Sequence, residues 1–200
     1  MTNTLRSIFF APITLLVVAA ALAAAQPAVP LSHELLLQLD PARSRADITL
    51  PGNLHTVKGT FLLKRGALHF DPATGKASGE IAFDATSGKT GNSSRDNKMH
   101  KDVIESRRYP EIVFRPDRAD GELAASGVST LQVHGMFTMH GVEHEVTFPV
   151  DVTFTGSAWN AQASFPVPYL RWGMKNPSVL FLRVDDVVQV QFHASGSTVP

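Results

Sequence analysis

The chain has no cysteine among its 200 residues. That removes a disulfide framework, a thiolate metal site, a cysteine nucleophile and a lipid anchor on an N-terminal cysteine. Net charge is also missing, because 18 Lys and Arg balance 18 Asp and Glu. With no basic run and no excess of either sign, nothing recruits nucleic acid, and no strong overall field draws the chain to an anionic surface. No internal repeat, linker or low-complexity tract follows about residue 30. What is present is 44% hydrophobic residues, enough for a buried core, in a length that suits one domain plus an N-terminal extension.

The extension is "MTNTLRSIFFAPITLLVVAAALAAAQPAVP". One early charge, Arg6, precedes an apolar run from Ile8 to Ala25, and Ala23-Ala24-Ala25 stand before Gln26. This is the pattern of a secretory leader, residues 1–25, with a short lead-in over 26–34. The run approaches the length of a membrane span, but Pro12 and the alanine-rich end favour cleavage over an anchor. Removing the first 25 residues leaves 175, with 17 basic and 18 acidic side chains and a net charge of −1. A secreted domain without disulfides depends on its core, which suits a bacterial periplasm.

The remainder reads as β-strand. In "EVTFPVDVTF", Val146, Phe148, Val150, Val152 and Phe154 alternate with Glu, Thr, Pro, Asp and Thr, the period of a half-buried strand. Pro149 falls on the polar side, which predicts an edge, a bulge or a solvent-facing position. Leu131–Met139 and Val188–Ala194 alternate likewise. Further strands are expected at His33–Leu39, Arg45–Leu50, Leu54–Leu63, Ala67–Phe70, Glu80–Ala85, Glu111–Phe114 and Ala158–Val167. "DPATGKASG" and "HGVE" are hairpin connections. Many short strands with almost no helix argue for a sandwich or a closed barrel.

One stretch breaks the pattern. "TGNSSRDNKMHKDVIESRRYPEIVF" follows Gly88-Lys89, but the first glycine of a phosphate loop would have to stand at Phe83, inside a strand. Ser93 or Ser94 can instead cap a short helix that shares Met99 and Val103 on one face, with Ile104 beside them, and that ends before Pro110. No zinc-protease helix motif and no nucleophile elbow occurs. Asp185 and Asp186 are adjacent on an extended segment and point to opposite faces, which makes them poor acid–base partners. His140 and His144 flank a turn and could approach each other, but no third metal ligand lies close in sequence.

Four segments in order carry a family resemblance. They are "LHTVKGTFLLKRGALHFDPATG", the Thr-Gly-Asn-x-x-Arg-Asp stretch running into "YPEIVF", "VHGMFTMHGVEHEVTFPV", and "YLRWGMKNPSVLFLRVDDVVQVQ". Over about Leu35 to Ala194 the chain resembles the YceI-like family of polyisoprenoid- or lipid-binding periplasmic proteins. It departs at "DVIESRRYP", where the family often has Asp-Phe-Phe-Asp. An aromatic contact near the ligand is then either absent or supplied by Tyr109.

The resemblance implies an all-β fold over 35–200: an eight-stranded antiparallel lipocalin-like barrel with one short helix near its mouth. It also implies a non-enzymatic binding or carrier protein without cofactor or metal. The small-molecule ligand would be a lipid or isoprenoid: an isoprenoid, a quinone-like lipid or a fatty-acid derivative. Transient contact with a membrane, or with a membrane redox or lipid enzyme, would accompany that role. On strand parity, Phe61, Phe83, Phe137, Phe148, Val150 and Phe192 are the apolar lining of a barrel, or plain core in a sandwich. Arg95, Asp96 and Arg171 are headgroup candidates, with loop-anchoring electrostatics as the alternative for Arg95 and Asp96. Burying about fifteen methylenes is worth roughly 12 kcal/mol gross, and immobilisation takes back about half, which leaves micromolar binding or tighter. The competing readings are a metal-dependent envelope hydrolase built on His140 and His144, and a ligand-free structural module with a filled core.

Overall fold

Period two is clearest in Ala158–Val167, where exposed and buried residues alternate without a break. Trp159, Ala161, Ala163, Phe165 and Val167 are buried, while Asn160, Gln162 and Ser164 are exposed. Such a face has to be covered by other elements, and a sheet closed on itself covers every face at once. The computed structural model describes residues 34–124, 127–178, 181 and 183–199. The expected leader, 1–25, and the lead-in up to residue 33 lie outside the described residues.

The strands are β1 (Leu35–Leu39), β2 (Arg45–Leu50), β3 (Val57–Asp71), β4 (Lys76–Asp84), β5 (Glu111–Asp120), β6 (Val128–Met139), β7 (Val142–Thr155), β8 (Ala158–Val167) and β9 (Val188–Val199). All pair antiparallel, from β3 through β4, β5, β6, β7 and β8 to β9. Both β1 and β2 pair with β3 on one side and β9 on the other, so they are two lengths of one stave. The result is the expected closed eight-stranded antiparallel barrel. Between β1 and β2 the chain bulges, and buried Ser44 repairs the ladder: its hydroxyl donates to the Ser195 carbonyl at 3.2 Å and accepts from the Ser195 N–H at 3.1 Å.

Several strands run longer than the sequence pattern predicts, β3 and β5 among them. Leu54–Leu63 and Ala67–Phe70 belong to the single 15-residue β3. A bulge between Leu63 and Arg65 shifts the inward parity from Phe61 and Leu63 to Gly66 and Phe70, which makes one strand look like two. It also turns both Lys64 and Arg65 outward, where Lys64 meets Glu111 at 2.8 Å and Arg65 meets it at 2.7 Å. Arg65 first, then Lys64, hold the Glu111 carboxyl down at about 2. A second bulge, between Pro116 and Arg118, carries β5 on to Asp120. Pro149 is exposed and lies at the end of the β7–β8 ladder, which begins at Val150, so its missing N–H falls where the sheet tolerates it.

The alternating strand direction sorts the connections by length. One end is closed by tight turns at 71–76 and 155–158 and by the 120–128 connection. The other end carries the long segments 51–56, 85–110 and 168–187, together with the two-residue turn at His140 and Gly141. Helix α1 (Ser93–Lys98) lies in the second of these and continues as a wider π-wound turn over Met99–Val103, with the Ile104 N–H donating to the Met99 carbonyl at 3.0 Å. Its cap is Asn92 rather than a serine, because the Asn92 side chain accepts from the Arg95 N–H at 3.0 Å.

At the β6–β7 turn His140 has φ 54° and Gly141 φ 76°, the double positive geometry that matches hairpin twist. The Tyr109 ring lies against Gly141 where a Cβ would stand. Gly156 has a similar φ of 62° but open space around it. Gly156→Ala is therefore expected to cost about 1 kcal/mol, from backbone strain alone. Gly141→Ala adds a steric clash and is expected to cost at least about 2 kcal/mol in urea unfolding. Equal losses for the two would remove the packing role given to Tyr109.

Candidate functional site

An eight-stave barrel is just wide enough for side chains to fill. Here, towards the end with long connections, many inward residues are short or branched: Ala46, Ile48, Val167, Val188 and Val190. They leave a cavity of about 700 Å³. That lies within the range of about 300–1,000 Å³ usual for small-molecule sites. Its inner limit is set by Ile81, Phe114, Phe148 and Phe192. The same four side chains border a second chamber of about 110 Å³ towards the tight-turn end, which reaches Leu39, Phe70, Leu131 and Trp159. They form a waist between a large chamber and a small one.

Aromatic contacts hold this waist and the wall above it. Phe192 meets Phe83 edge-on at 5.4 Å between ring centres, and Phe114 packs on Phe148 at 5.2 Å. Phe148 stacks on Phe165 at 4.3 Å, Phe165 meets Phe137 at 6.0 Å, and Phe137 meets Trp172 at 5.6 Å. Trp172 in turn stacks flat on His144 at 4.0 Å, which fixes the 168–187 segment to β7. The spine thus runs from the waist to the rim.

Three segments roof the cavity and are laced by hydrogen bonds. Asp96 accepts from both the N–H and the hydroxyl of Thr90, the former at 2.8 Å. Arg95 donates from Nε to the Thr90 hydroxyl and from Nη2 to the Thr90 carbonyl, each at 2.7 Å. His100 Nε2 lies 2.8 Å from the Gly88 carbonyl, which can only accept, so Nε2 donates, and Nδ1 lies 3.0 Å from the Ser106 hydroxyl. Lys98 reaches the Pro177 carbonyl at 2.8 Å, joining the helix to the 168–187 segment. Asn53 bonds the Phe181 carbonyl at 2.9 Å and the Arg183 N–H at 3.0 Å, joining the β2–β3 connection to the same segment. Tyr169, in the cavity wall, donates to the Asp185 carbonyl at 2.9 Å. Burial, and then Asp186 and Asp185, push its hydroxyl up to about 12.

Of the residues picked out by strand parity, Phe61, Phe83, Phe137, Phe148 and Phe192 all line the large chamber. Val150 lines the small one instead. Arg95 stands at the entrance. Arg95 and Asp96 do not form an ion pair with each other; both hold Thr90. Asp96 is outside the lining, and so is Arg171, which is exposed in the turn after β8. Tyr109 does not supply the missing aromatic contact, since it packs on His140 at 4.7 Å and on Gly141; Val103 and Ile104 line the cavity from that segment. Sequence reasoning missed Phe114 and Phe165, which their strand parity could have revealed. It also missed Lys98 and Arg183 at the entrance, which sit in connections without a period. Among the described residues no Asp or Glu lines the large chamber.

His140 and His144 are separated by their packing, one against Tyr109 and the other against Trp172. Among the described residues no three His, Cys, Asp or Glu side chains come close enough to hold a metal. The buried Nε2 of each histidine has no hydrogen-bond partner.

A closed antiparallel barrel with a roofed apolar cavity and a cationic entrance belongs to the lipocalin-like class of architectures. A family model for the YceI-like domain matches residues 37–195. The chain therefore belongs to the YceI-like family. Among solved structures it is similar to BcnA of Burkholderia cenocepacia, with a TM-score of 0.65 at 22% identity over 78% of this chain and 98% of that one. It is also similar to a polyisoprenoid binding domain from Saccharophagus degradans implicated in plant cell wall breakdown, with a TM-score of 0.64 at 16% identity over 82% and 98%. A Campylobacter jejuni YceI protein matches with a TM-score of 0.58 at 16% identity over 74% and 88%. No curated protein matches the chain.

Burial holds the His144 imidazole below its ordinary pKa. The unfolded chain then binds this proton more readily, starting near the ordinary value of about 6.5. The contribution of His144 to stability is full above that value and is lost as pH falls through the lower folded value. His144→Phe keeps a ring on Trp172 and is expected to lose less stability than the parent between about pH 7.5 and 5 in urea unfolding. Identical pH profiles would show that His144 does not carry the effect.

Proposed function

We propose that this chain is a non-catalytic carrier that holds one amphiphile with a long apolar tail inside its barrel. The tail chemistry is that of an isoprenoid, a quinone-like lipid or a fatty-acid derivative. One observation carries the reading: the large chamber is walled by aliphatic and phenylalanine side chains and is large enough for such a tail. The entrance supports a polar head, because Arg95, Lys98, Arg183 and His55 line it and, among the described residues, no carboxylate does. A head with negative charge or strong acceptor atoms fits that set. The description of the Saccharophagus degradans relative as polyisoprenoid binding points the same way. Burial of a tail needs no reacting group, which agrees with a binding role. The leader pattern of residues 1–25 supports export to a periplasm, where such a protein would move or sequester a lipid between membranes.

Native mass spectrometry of the purified protein, followed by organic extraction, is expected to find one amphiphile per chain. Protein that is ligand-free and takes up no lipid probe would overturn the reading. Across a series of straight-chain fatty acids, affinity is expected to rise about fourfold per methylene until the tail meets the waist. Phe148→Ala joins the two chambers and moves that limit to longer tails; an unmoved limit would remove the waist as the stop. N-terminal sequencing of the exported protein is expected to begin at Gln26, whereas an intact Met1 would contradict cleavage.

A further inference from the structure

Two observations about the roofed end go beyond the identity of the tail. The first is charge. The connections at that end, 51–56, 85–110, 140–141 and 168–187, carry nine Lys and Arg against five Asp and Glu. Around the opposite end, Glu34 and the connections 40–44, 72–75, 121–127 and 156–157 carry three acidic against one basic side chain. A chain of zero net charge is thus electrically polarised along the barrel axis, positive at the cavity entrance. The second is apolar exposure on the rim. Phe181 is 85% exposed and Leu54 is 69% exposed. Their connections are fastened together by the Asn53 hydrogen bond to the Phe181 carbonyl, and Leu54 also lines the cavity.

We propose that the roofed end docks on an anionic lipid bilayer, with Leu54 and Phe181 entering the interface and the basic connections facing the headgroups. An aromatic ring and a leucine on adjacent loops, set in positive charge, are the elements of an interfacial anchor. Single exposed apolar residues elsewhere are ordinary, and Val128 and Val199 at the acidic end are of that kind. Leu54 and Phe181 differ because they coincide with both the entrance and the positive pole. Docking there brings the mouth to the lipid phase, so a tail can pass between bilayer and barrel without crossing water. The charge asymmetry orients the approach, and salt screens it.

The absence of cysteine makes a single introduced thiol a unique label. Leu54→Cys, Phe181→Cys and, at the acidic end, Ala73→Cys are each prepared in the full chain and coupled to an environment-sensitive fluorophore. Each is mixed with vesicles of phosphatidylcholine alone or with about 30% phosphatidylglycerol. The expected result is a blue shift at positions 54 and 181 with the anionic vesicles only, none at position 73, and loss of the shift as salt rises to about 0.5 M. The Leu54→Asp, Phe181→Asp double variant, labelled through Ala73→Cys and followed by vesicle flotation, is expected to bind at least about tenfold more weakly than the singly substituted Ala73→Cys protein. No shift at 54 and 181, an equal shift at 73, or an equal response to neutral vesicles overturns the proposal. So does a shift at 54 and 181 evoked by an envelope protein fraction but not by lipid. The readout is docking rather than cavity occupancy, so its failure leaves the carrier reading standing, and an empty cavity leaves the docking result readable.

Discussion

Everything distinctive here follows from a mismatch between barrel size and side-chain volume. Closing eight staves fixes the internal diameter through backbone hydrogen bonding, whatever side chains point inward. Towards the tight-turn end, Leu39, Phe70, Leu131, Phe154 and Trp159 nearly fill that diameter. Towards the other end, alanines, valines and isoleucines do not, and the rings of Phe61, Phe83, Phe137 and Phe165 lie along the wall. The backbone ladder cannot contract to remove the space. A void with apolar walls is costly when empty, and an apolar tail recovers the lost contacts.

The roof has a different physical basis. Its segments are polar, and they are held by side chains bonding backbone: Asp96 and Arg95 on Thr90, His100 on Gly88, Lys98 on Pro177, Asn53 on Phe181 and Arg183. Such bonds fix loop conformation, while Val103, Ile104, Tyr169 and Met174 seat the same segments on the core. The aromatic spine from Phe148 to Trp172 ties the barrel interior to the roof, alongside these four buried side chains.

Much of this was legible in the sequence, for identifiable reasons. Strand parity located Phe61, Phe83, Phe137, Phe148 and Phe192 because a closed barrel gives every strand one inner face. Parity failed where a bulge resets it, so β3 looked like two strands and β5 seemed to stop at Phe114. Val150 has the right parity but stands beyond the waist, a distinction of height that alternation does not encode. The polar positions were less readable. Arg95, Asp96 and Arg171 resembled one another as charged residues in connections, yet they separate into an entrance residue that also anchors Thr90, a loop anchor outside the lining, and an exposed turn residue. A net charge of zero concealed a positive end and a negative end, because a sum carries no direction.

The central claim is that the barrel interior is hollow and that this hollow is the binding site. Its most direct measurement is titration of the purified, delipidated protein with cis-parinaric acid, a fluorescent polyene fatty acid, alongside Val190→Trp, which places an indole in the large chamber. The account predicts one probe bound per parent chain and none in the variant, with both keeping the same far-ultraviolet circular dichroism. Equal uptake by a correctly folded Val190→Trp protein, or no uptake by the parent, would contradict it.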